Sequence, residues 1–288
     1  MITSMEQKRK DTKKAKKGNK KLPIKHWSHS SLVAFLRNPL AWYKRYVEEV
    51  YDLPRTPSAV VGSAAHKALE HYYSDVDKKA SAALGLEYLR GISDDQIDFG
   101  RAKSRKAKRE KRAAMECEYR QAIGFYLEKP PRHHVIGVEV KGVAEVPGLP
   151  LPLKAVSDLV VASRAEPGAL DIVDHKFVAS FSPAKGEKTI FALQAIFNYH
   201  VVRALYDKPV RRFVVYECKK TKNADSRPQL RRYVYDYRAR ADDFALFERL
   251  IKDATAEIAR ARAWLPNPSD LFEGEHSFDI YRLGLLDD

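Results

Sequence analysis

Cysteine is scarce in this sequence of 288 residues, which contains only Cys117 and Cys218. Two distant cysteines match neither the dense pattern of a secreted disulfide scaffold nor the CxxC spacing of a zinc site, so we interpret both as structural thiols. No run reaches the roughly 20 apolar residues of a membrane-spanning helix. The lysine-rich N-terminus also lacks the apolar stretch of a signal peptide. We therefore expect an intracellular, cytoplasmic protein with no membrane partner.

The net charge of +14 is concentrated in two stretches. Residues 1–21 contain nine Lys/Arg against Glu6 and Asp11, and residues 101–112 contain eight against Glu110. Such patches suit a polyanion, of which nucleic acid is the commonest in a cell. A solubilising tail and a solvated helix face would have the same composition. The residues predicted to bind DNA are Lys103, Arg105, Lys106, Lys108 and Arg109.

The order of predicted elements indicates one α/β domain behind a basic tail. Residues 1–24 lack aromatic and periodic apolar positions, so we expect them to be disordered and assign residues 25–288 to a single domain. Two short helices interrupted at Pro39 precede a helix at about 62–77, a polar connection and a long helix ending near Glu128. Three short strands, a helix, two strands and a final helix follow. This order predicts a mixed central β-sheet flanked by helices.

Charged residues interrupt two of the predicted strands. In LDIVDHKF, alternation places Asp174 and Lys176 on one side of the strand, and in KAVSDLVVA Asp158 lies between apolar residues. If these strands are neighbours, two carboxylates and one ammonium converge, and a divalent cation would compensate the carboxylates. Phosphodiester hydrolysis would use such a cluster, because it needs an activated water and a counter-charge for the phosphate. An ordinary Asp–Lys pair at a strand end is the alternative interpretation.

Several separate stretches resemble one nuclease family. The opening helix of RecB-like nucleases is similar to WSHSSLVAFLRNPLAWYKRYV, and their G-x-x-x-H-x-x-L-E helix is similar to VGSAAHKALE. The strands that carry their metal-binding aspartates are similar to AVSDLV and DIVDHK, and the next helix is similar to LQAIFNYH. The chain resembles a RecB-like member of the PD-(D/E)xK superfamily over about residues 27–206, with likeness to phage-type and CRISPR-associated exonucleases. The resemblance implies a restriction-endonuclease-like α/β core.

The resemblance also implies roles for individual residues. Asp158 and Asp174 would bind Mg²⁺ or Mn²⁺ as catalytic carboxylates. His66 would add a metal ligand, and Lys176 would be the catalytic lysine. An ordinary helix-surface role for Glu70 stays open, and no site role is assigned to His133, His134 or His175. The supporting residues are Gln194, Glu70 and Tyr199, and in some family members an acid at the place of Glu139 supports the metal site.

The chain departs from the family pattern at two places. Four residues after Gln194, where the family carries Tyr, it has Asn198, and Tyr199 follows one position later. The iron–sulfur members have a cysteine where this chain has Asn38, and three more near the C-terminus that it also lacks. We therefore expect no iron–sulfur cluster and a C-terminal segment packed by apolar side chains. These are Trp264, Leu271, Phe272, Phe278 and Tyr281.

Three functions agree with these features. The leading hypothesis is a metal-dependent, sequence-independent DNA exonuclease in recombination or repair. A structure-specific endonuclease would have the same centre, and a non-catalytic nucleic-acid-binding protein derived from a nuclease is the third hypothesis. No helicase-type P-loop is present, so ATP is not an expected ligand. The expected partners are DNA and, in a repair setting, a recombinase or a single-strand-binding protein.

Overall fold

The computed structural model describes residues 22–50, 54–182, 189–223 and 228–266. Most of the basic tail therefore lies outside the described residues. Ile24, which we had placed in the tail, is buried in the core, so the packed part of the chain begins earlier than expected. Of the C-terminal side chains expected to pack, only Trp264 is described. Its ring stacks on that of Tyr43, with centroids 5.0 Å apart.

Seven α-helices are present in the described part of the chain. Asn38 caps the second helix by accepting a hydrogen bond from the backbone N–H of Ala41 at 2.9 Å, and Pro39 takes its first position. The predicted interruption at Pro39 is therefore a boundary between two helices. The helices in chain order are α1 His29–Arg37, α2 Pro39–Tyr46, α3 Pro57–Tyr73, α4 Lys78–Gly91, α5 Arg105–Glu128, α6 Thr189–Tyr206 and α7 Ala241–Arg260.

Two predictions about the helices are wrong. Helix α3 begins at Pro57 rather than near residue 62, because Thr56 caps its N-terminus and a proline is compatible with the first helical position. The expected polar connection after α3 is a further helix, α4. Asp77 caps α4, and Leu89 on its inner face is completely buried. The segment KKASAALGLEYLRG is rich in Ala and Leu, which favour a helix, so the prediction of a polar connection was wrong.

Six strands form one mixed sheet in the described residues. Strands β2 and β4 both run antiparallel to β3, which confirms the predicted meander. Strand β5 runs parallel to β4, and β6 runs antiparallel to β5. The strands are β1 Trp27–Ser28, β2 Val135–Ala144, β3 Leu153–Ala162, β4 Leu170–Val178, β5 Val210–Lys219 and β6 Leu230–Asp236.

An opening interrupts one edge of β3. Strand β2 occupies the other edge along nearly its whole length. On the interrupted edge, β1 pairs with Leu153 and Lys154, whereas β4 pairs with β3 only from Leu159 onward. Residues 155–158 therefore have no strand partner on that edge within the described structure. We call the point where β3 and β4 diverge the sheet fork, and Asp158 lies there.

Helices cover both faces of the sheet. Helices α3, α4 and α5 pack on the face that carries Leu159 and Val173, and α6 packs on the face that carries Val160 and Ile172. The other helices surround the fully buried Trp27 in a separate cluster beside β1. This is the predicted mixed sheet flanked by helices. Among the described helices, none is both long and apolar enough to span a bilayer.

Candidate active site

The two predicted metal-binding aspartates lie where β3 and β4 separate. The last paired residues are Leu159 and Val173, so Asp158 and Asp174 follow them on the diverging parts of the two strands. The backbone N–H of His175 donates a hydrogen bond to Asp158 Oδ2 at 2.7 Å. Asp174 is buried and the Asp158 side chain is 15% exposed, and the two carboxylates are close enough for the charge of Asp158 to affect the ionisation of Asp174. The fork therefore holds two acids at one end of the sheet.

His66 completes a group of three ligands with Asp158 and Glu139. His66 Nδ1 lies 3.3 Å from Asp158 Oδ2. One ligand atom from each residue can be chosen so that all three lie within 4.8 Å of one another. One imidazole nitrogen and two carboxylate oxygens form a donor set that suits a hard or borderline divalent cation. The structure thus brings Glu139, whose role the sequence left open, to the predicted metal ligands.

Glu139 has an unusual backbone conformation. Its register position in β2 is opposite Asp158, and its φ of 49° lies in the left-handed region that non-glycine residues rarely adopt. Such conformations cost about 1–3 kcal/mol and concentrate at functional sites. The strain therefore accompanies a side chain that lies beside the predicted metal ligands.

Burial and neighbouring charges shift the pKa values of these side chains in different directions. Burial alone would raise the pKa of Asp158, but the charges and hydrogen bonds of His66 and His175 hold that pKa well below its usual range. Burial, together with the charge of Asp158, raises the pKa of Asp174, although Lys176 opposes this. Burial would lower the pKa of His66, but Asp158 outweighs it and raises that pKa. A divalent cation would offset the repulsion between these carboxylates.

Asp174 has fewer partners than a buried carboxylate normally has. Gln194 Nε2 donates a hydrogen bond to its Oδ1 at 2.7 Å. Its Oδ2 lies 2.9 Å from Lys176 Nζ but accepts no hydrogen bond of good geometry in the described residues. Burial would lower the pKa of Lys176, but Asp174 outweighs it and raises that pKa, so the ammonium stays charged. The Lys176 side chain is one-third exposed and lies at the mouth of the site.

Glu217, which was not among the predicted site residues, is also part of this environment. It neighbours Lys176 in the β4–β5 register and is only 2% exposed. It accepts a 2.7 Å hydrogen bond from the backbone N–H of Ser182 and contributes to the raised pKa of Lys176. A single acid within the apolar strand RRFVVYEC was the signal that could have identified it.

Helix α6 brings Gln194 to the site but not Tyr199. Asn198, four residues after Gln194 and on the same helix face, accepts a hydrogen bond from Ser157 Oγ at 2.6 Å. Tyr199 is turned away, and its ring packs 4.8 Å from that of Tyr237. The predicted supporting role of Tyr199 is therefore not met in this structure, because a fifth position leaves the helix face that Gln194 occupies.

Two other residues lie near the predicted ligands. Glu70 lines the same opening as Glu139 and Lys176, but it is paired with Lys67 Nζ at 2.8 Å and lies on the rim. His175, to which no role was assigned, points its ring away from Asp174 and stacks on Tyr73. Its Nδ1 nevertheless lies 3.4 Å from Asp158 Oδ2. His175 therefore helps to hold Asp158, a predicted metal ligand, in place.

Of the basic residues predicted to bind DNA, Arg105, Lys106, Lys108 and Arg109 lie in the first turns of helix α5, and Lys103 lies just before the helix. Further along α5, Cys218 contacts the carbonyl of Ala122, and Glu118 pairs with Lys220, at the C-terminal end of β5. The helix therefore passes the end of the sheet that carries Lys176, and its N-terminal turns extend beyond it. Since a helix rises 1.5 Å per residue, Arg109 lies about 13 Å further out than Glu118.

Comparisons with known proteins identify the superfamily. Residues 26–271 match the model of the PD-(D/E)XK nuclease superfamily, and the protein belongs to that superfamily. A crystal structure described as a "putative exonuclease" from Eubacterium rectale has the same fold, with a TM-score of 0.56, 12% identity and 86% of each chain covered. The crystal structure of SSO0001 covers 88% of this chain and 93% of its own, with 12% identity and a TM-score of only 0.32. The sequence has no significant match among curated proteins.

Proposed function

We propose that the protein is a metal-dependent deoxyribonuclease that acts as a sequence-independent exonuclease in recombination or repair. One observation carries the proposal. His66, Glu139 and Asp158 converge within 4.8 Å at the sheet fork, beside the adjacent Asp174 and Lys176. Superfamily membership supplies the hydrolytic class of the reaction. The metal-binding and catalytic roles of these residues are part of the proposal.

The donor set fits Mg²⁺ or Mn²⁺, because oxygen ligands predominate and a single imidazole is tolerated by such ions. We assign His66, Asp158 and Asp174 as ligands, with Glu139 as a further one. The ion, when bound, supplies a Lewis acid that polarises the phosphate and lowers the pKa of a coordinated water.

The chain's own residues orient the reactants. The lysine ammonium of Lys176 is held by Asp174 at 2.9 Å and by the nearby charge of Glu217. It donates hydrogen bonds to the attacking water or to a phosphate oxygen, where it stabilises developing negative charge. Gln194 fixes the orientation of Asp174, and the backbone N–H of His175 fixes that of Asp158. Hydrogen bonds of this kind keep the carboxylates in place before substrate arrives.

Charge distribution supports DNA as the substrate. The first turns of α5, with Lys106 and Arg109, extend past the sheet end that carries the site. Contacts of Lys and Arg to phosphates supply affinity without reading sequence. The structural neighbour described as an exonuclease supports action from a strand end.

A labelled-substrate assay tests this proposal. Linear and covalently closed DNA of one sequence, and RNA of the same sequence, are incubated with the protein and Mg²⁺, Mn²⁺ or EDTA. We expect metal-dependent release of nucleotides from linear DNA and no attack on closed DNA or RNA. Cutting of closed DNA would favour the structure-specific endonuclease. Absence of cleavage in every metal, with DNA binding retained, would favour the non-catalytic binding protein.

A further inference from the structure

A second cavity lies on the sheet face that α3, α4 and α5 share, away from the metal ligands. It encloses about 650 Å³ and shares no lining residue with the opening at His66 and Lys176. Three buried valines from neighbouring strands line it: Val161, Val173 and Val214. Asp171 also lines it, three residues before Asp174 on β4, which corresponds to about 10 Å along a strand. The cavity is therefore distinct from the proposed catalytic site.

The charge of this cavity is strongly positive. Four arginines and one acid line it. The acid, Asp171, forms an ion pair with Arg212, whose Nη2 lies 2.6 Å from Asp171 Oδ2. Arg164 donates only to the carbonyl of Arg132, at 2.7 Å. In the described part of the chain, Arg132, Arg164 and Arg232 form no ion pair with a carboxylate.

Three uncompensated guanidinium groups around one cavity repel one another, and an anion bound between them would relieve that repulsion. The guanidinium group presents two parallel N–H donors that match the oxygens of a phosphate or carboxylate. All the cationic side chains that line this cavity are arginines rather than lysines. The arginines can therefore donate directional hydrogen bonds to the oxygens of an anion, in addition to attracting its charge.

His133 provides a neutral polar group in the same wall. Its Nε2 is buried and has no hydrogen-bond partner in the described structure. Burial, and then the charges of His175, Arg164 and Arg232, lower the pKa of His133 to about 4, so the ring is neutral at pH 7. A buried ring nitrogen without a partner is costly, and a ligand that bonds to it removes that cost. The wall of the cavity thus contains a site for one more hydrogen bond.

We propose that this cavity binds a phosphate monoester, presented either by a free mononucleotide or by the terminal phosphate of a nucleic-acid strand. Arg132, Arg164 and Arg232 hold the phosphate, and His133 completes its hydrogen bonds. The valines and the ring of Tyr216 contact the sugar and base. A volume of about 650 Å³ lies within the usual range for small-ligand sites. The proposal goes beyond the nuclease function and does not depend on it.

Calorimetry on the full chain in EDTA tests the site without turnover. Deoxyadenosine 5′-monophosphate is titrated into the wild type, Arg132→Gln and Arg232→Gln. Each variant should bind the nucleotide about tenfold more weakly, the loss expected for one charge-assisted hydrogen bond. Arg249→Gln is the matched control, because Arg249 is an exposed arginine of α7 paired with Asp253. Its affinity and the thermal unfolding of all variants should match the wild type.

Competition experiments identify the chemical group that the cavity recognises. Inorganic phosphate should compete with the nucleotide, whereas deoxyadenosine, which lacks the phosphate, should not bind. A 5′-phosphorylated oligonucleotide that competes, beside a 5′-hydroxyl one that does not, would assign the site to strand ends. Competition by neither oligonucleotide would assign it to free nucleotides. Equal binding of nucleoside and nucleotide, or unchanged affinity in both arginine variants, would overturn the proposal.

Discussion

Strand β4 carries two buried acids, three residues apart, that are satisfied to very different degrees. Asp171 is 4% exposed and Asp174 is 5% exposed. Arg212 donates to both oxygens of Asp171, with its shortest contact at 2.6 Å. Asp174 receives one hydrogen bond from Gln194, and its second oxygen has only the close charge of Lys176. The two acids are therefore about equally buried, but only Asp171 forms a complete ion pair.

The difference shows how a buried acid can be assigned to structure or to function. A bidentate Arg–carboxylate pair compensates its own burial and needs no further ligand. Asp174 stands beside Asp158, and burial and this neighbour raise its pKa. A carboxylate with an unsatisfied oxygen and a like-charged neighbour is stabilised by a cation. We therefore interpret Asp171 as an acid that stabilises the fold, and we propose Asp174 as a ligand of the metal.

The largest expected effect comes from Asp174→Ala. This change removes a proposed metal ligand, so Mn²⁺ binding and DNA cleavage should be lost together. Calorimetric Mn²⁺ titration and a gel assay of cleavage, carried out on the same preparation, would measure both. Retention of both metal binding and cleavage by a folded variant would contradict the assigned centre.

Lys176→Ala should separate the two properties. The carboxylates remain, so Mn²⁺ should bind as well as or better than in the wild type, because a nearby positive charge is lost. Cleavage should fall by roughly 10²-fold or more, since an interaction with the transition state is removed. Lys67→Ala, at the rim of the same opening, is the control and should cleave normally. Parallel loss of metal binding in Lys176→Ala would show that the lysine only supports Asp174.

Part of the active site and of the fold could be predicted from the sequence. Strand alternation placed Asp174 and Lys176 together, and family resemblance joined them to His66 and Asp158. These predictions rest on local periodicity and on motifs, which a single chain displays directly. The strand meander and the sheet flanked by helices were predicted for the same reason. The helix α4 was not predicted, although its Ala- and Leu-rich run ASAALGLEYL favours a helix.

Other parts of the site depend on contacts between segments that are distant in the sequence. Glu139 reaches the site through the antiparallel register of β2 with β3, and Glu217 through the parallel register of β4 with β5. Neither register can be derived from one sequence. The distinction between Asp171 and Asp174 likewise depends on Arg212, 41 residues beyond Asp171. The partner that identifies Asp171 as a structural acid is therefore too distant in the sequence to be recognised there.

Asp171→Ala should affect stability rather than chemistry. It leaves Arg212, whose side chain is 19% exposed, without its partner in a mostly buried position. We expect a loss of about 2–3 kcal/mol in the free energy of unfolding, somewhat below the cost for a fully buried pair. Urea denaturation would measure it, and cleavage per folded molecule should be unchanged. Asp253→Ala, which breaks an exposed pair, should change stability little.

His66→Ala should alter how metal binding depends on pH. Asp158 raises the pKa of His66, so the imidazole is protonated at a higher pH than usual and protons compete with the metal. The Mn²⁺ affinity of the wild type should therefore fall as pH decreases through this raised pKa. His66→Ala should bind about tenfold more weakly at pH 8, with a shallower pH dependence. His134→Ala, an exposed control, should follow the wild type, and equal slopes in all three proteins would exclude His66 as a ligand.

The smallest expected effect, and the finest test of the comparison, is the stability of Asp174→Asn beside that of Asp171→Asn in EDTA. The pKa of Asp174 is raised in the folded protein, so the folded state binds its proton more tightly than the unfolded state does. The wild type therefore loses stability as pH rises from the unfolded pKa of an aspartate through the folded one. Asparagine does not titrate, so Asp174→Asn should gain stability relative to the wild type over that interval.

Lys176 remains charged throughout this interval, so losing its partner lowers the stability of Asp174→Asn by a constant amount. The readout is therefore the change with pH rather than the absolute difference, measured by urea denaturation at pH 5 and pH 8. Asp171→Asn should be less stable than the wild type at both values, because Arg212 loses a charged partner. A stability difference for Asp174→Asn that does not change with pH, or that declines as pH rises, would show that both acids are structural.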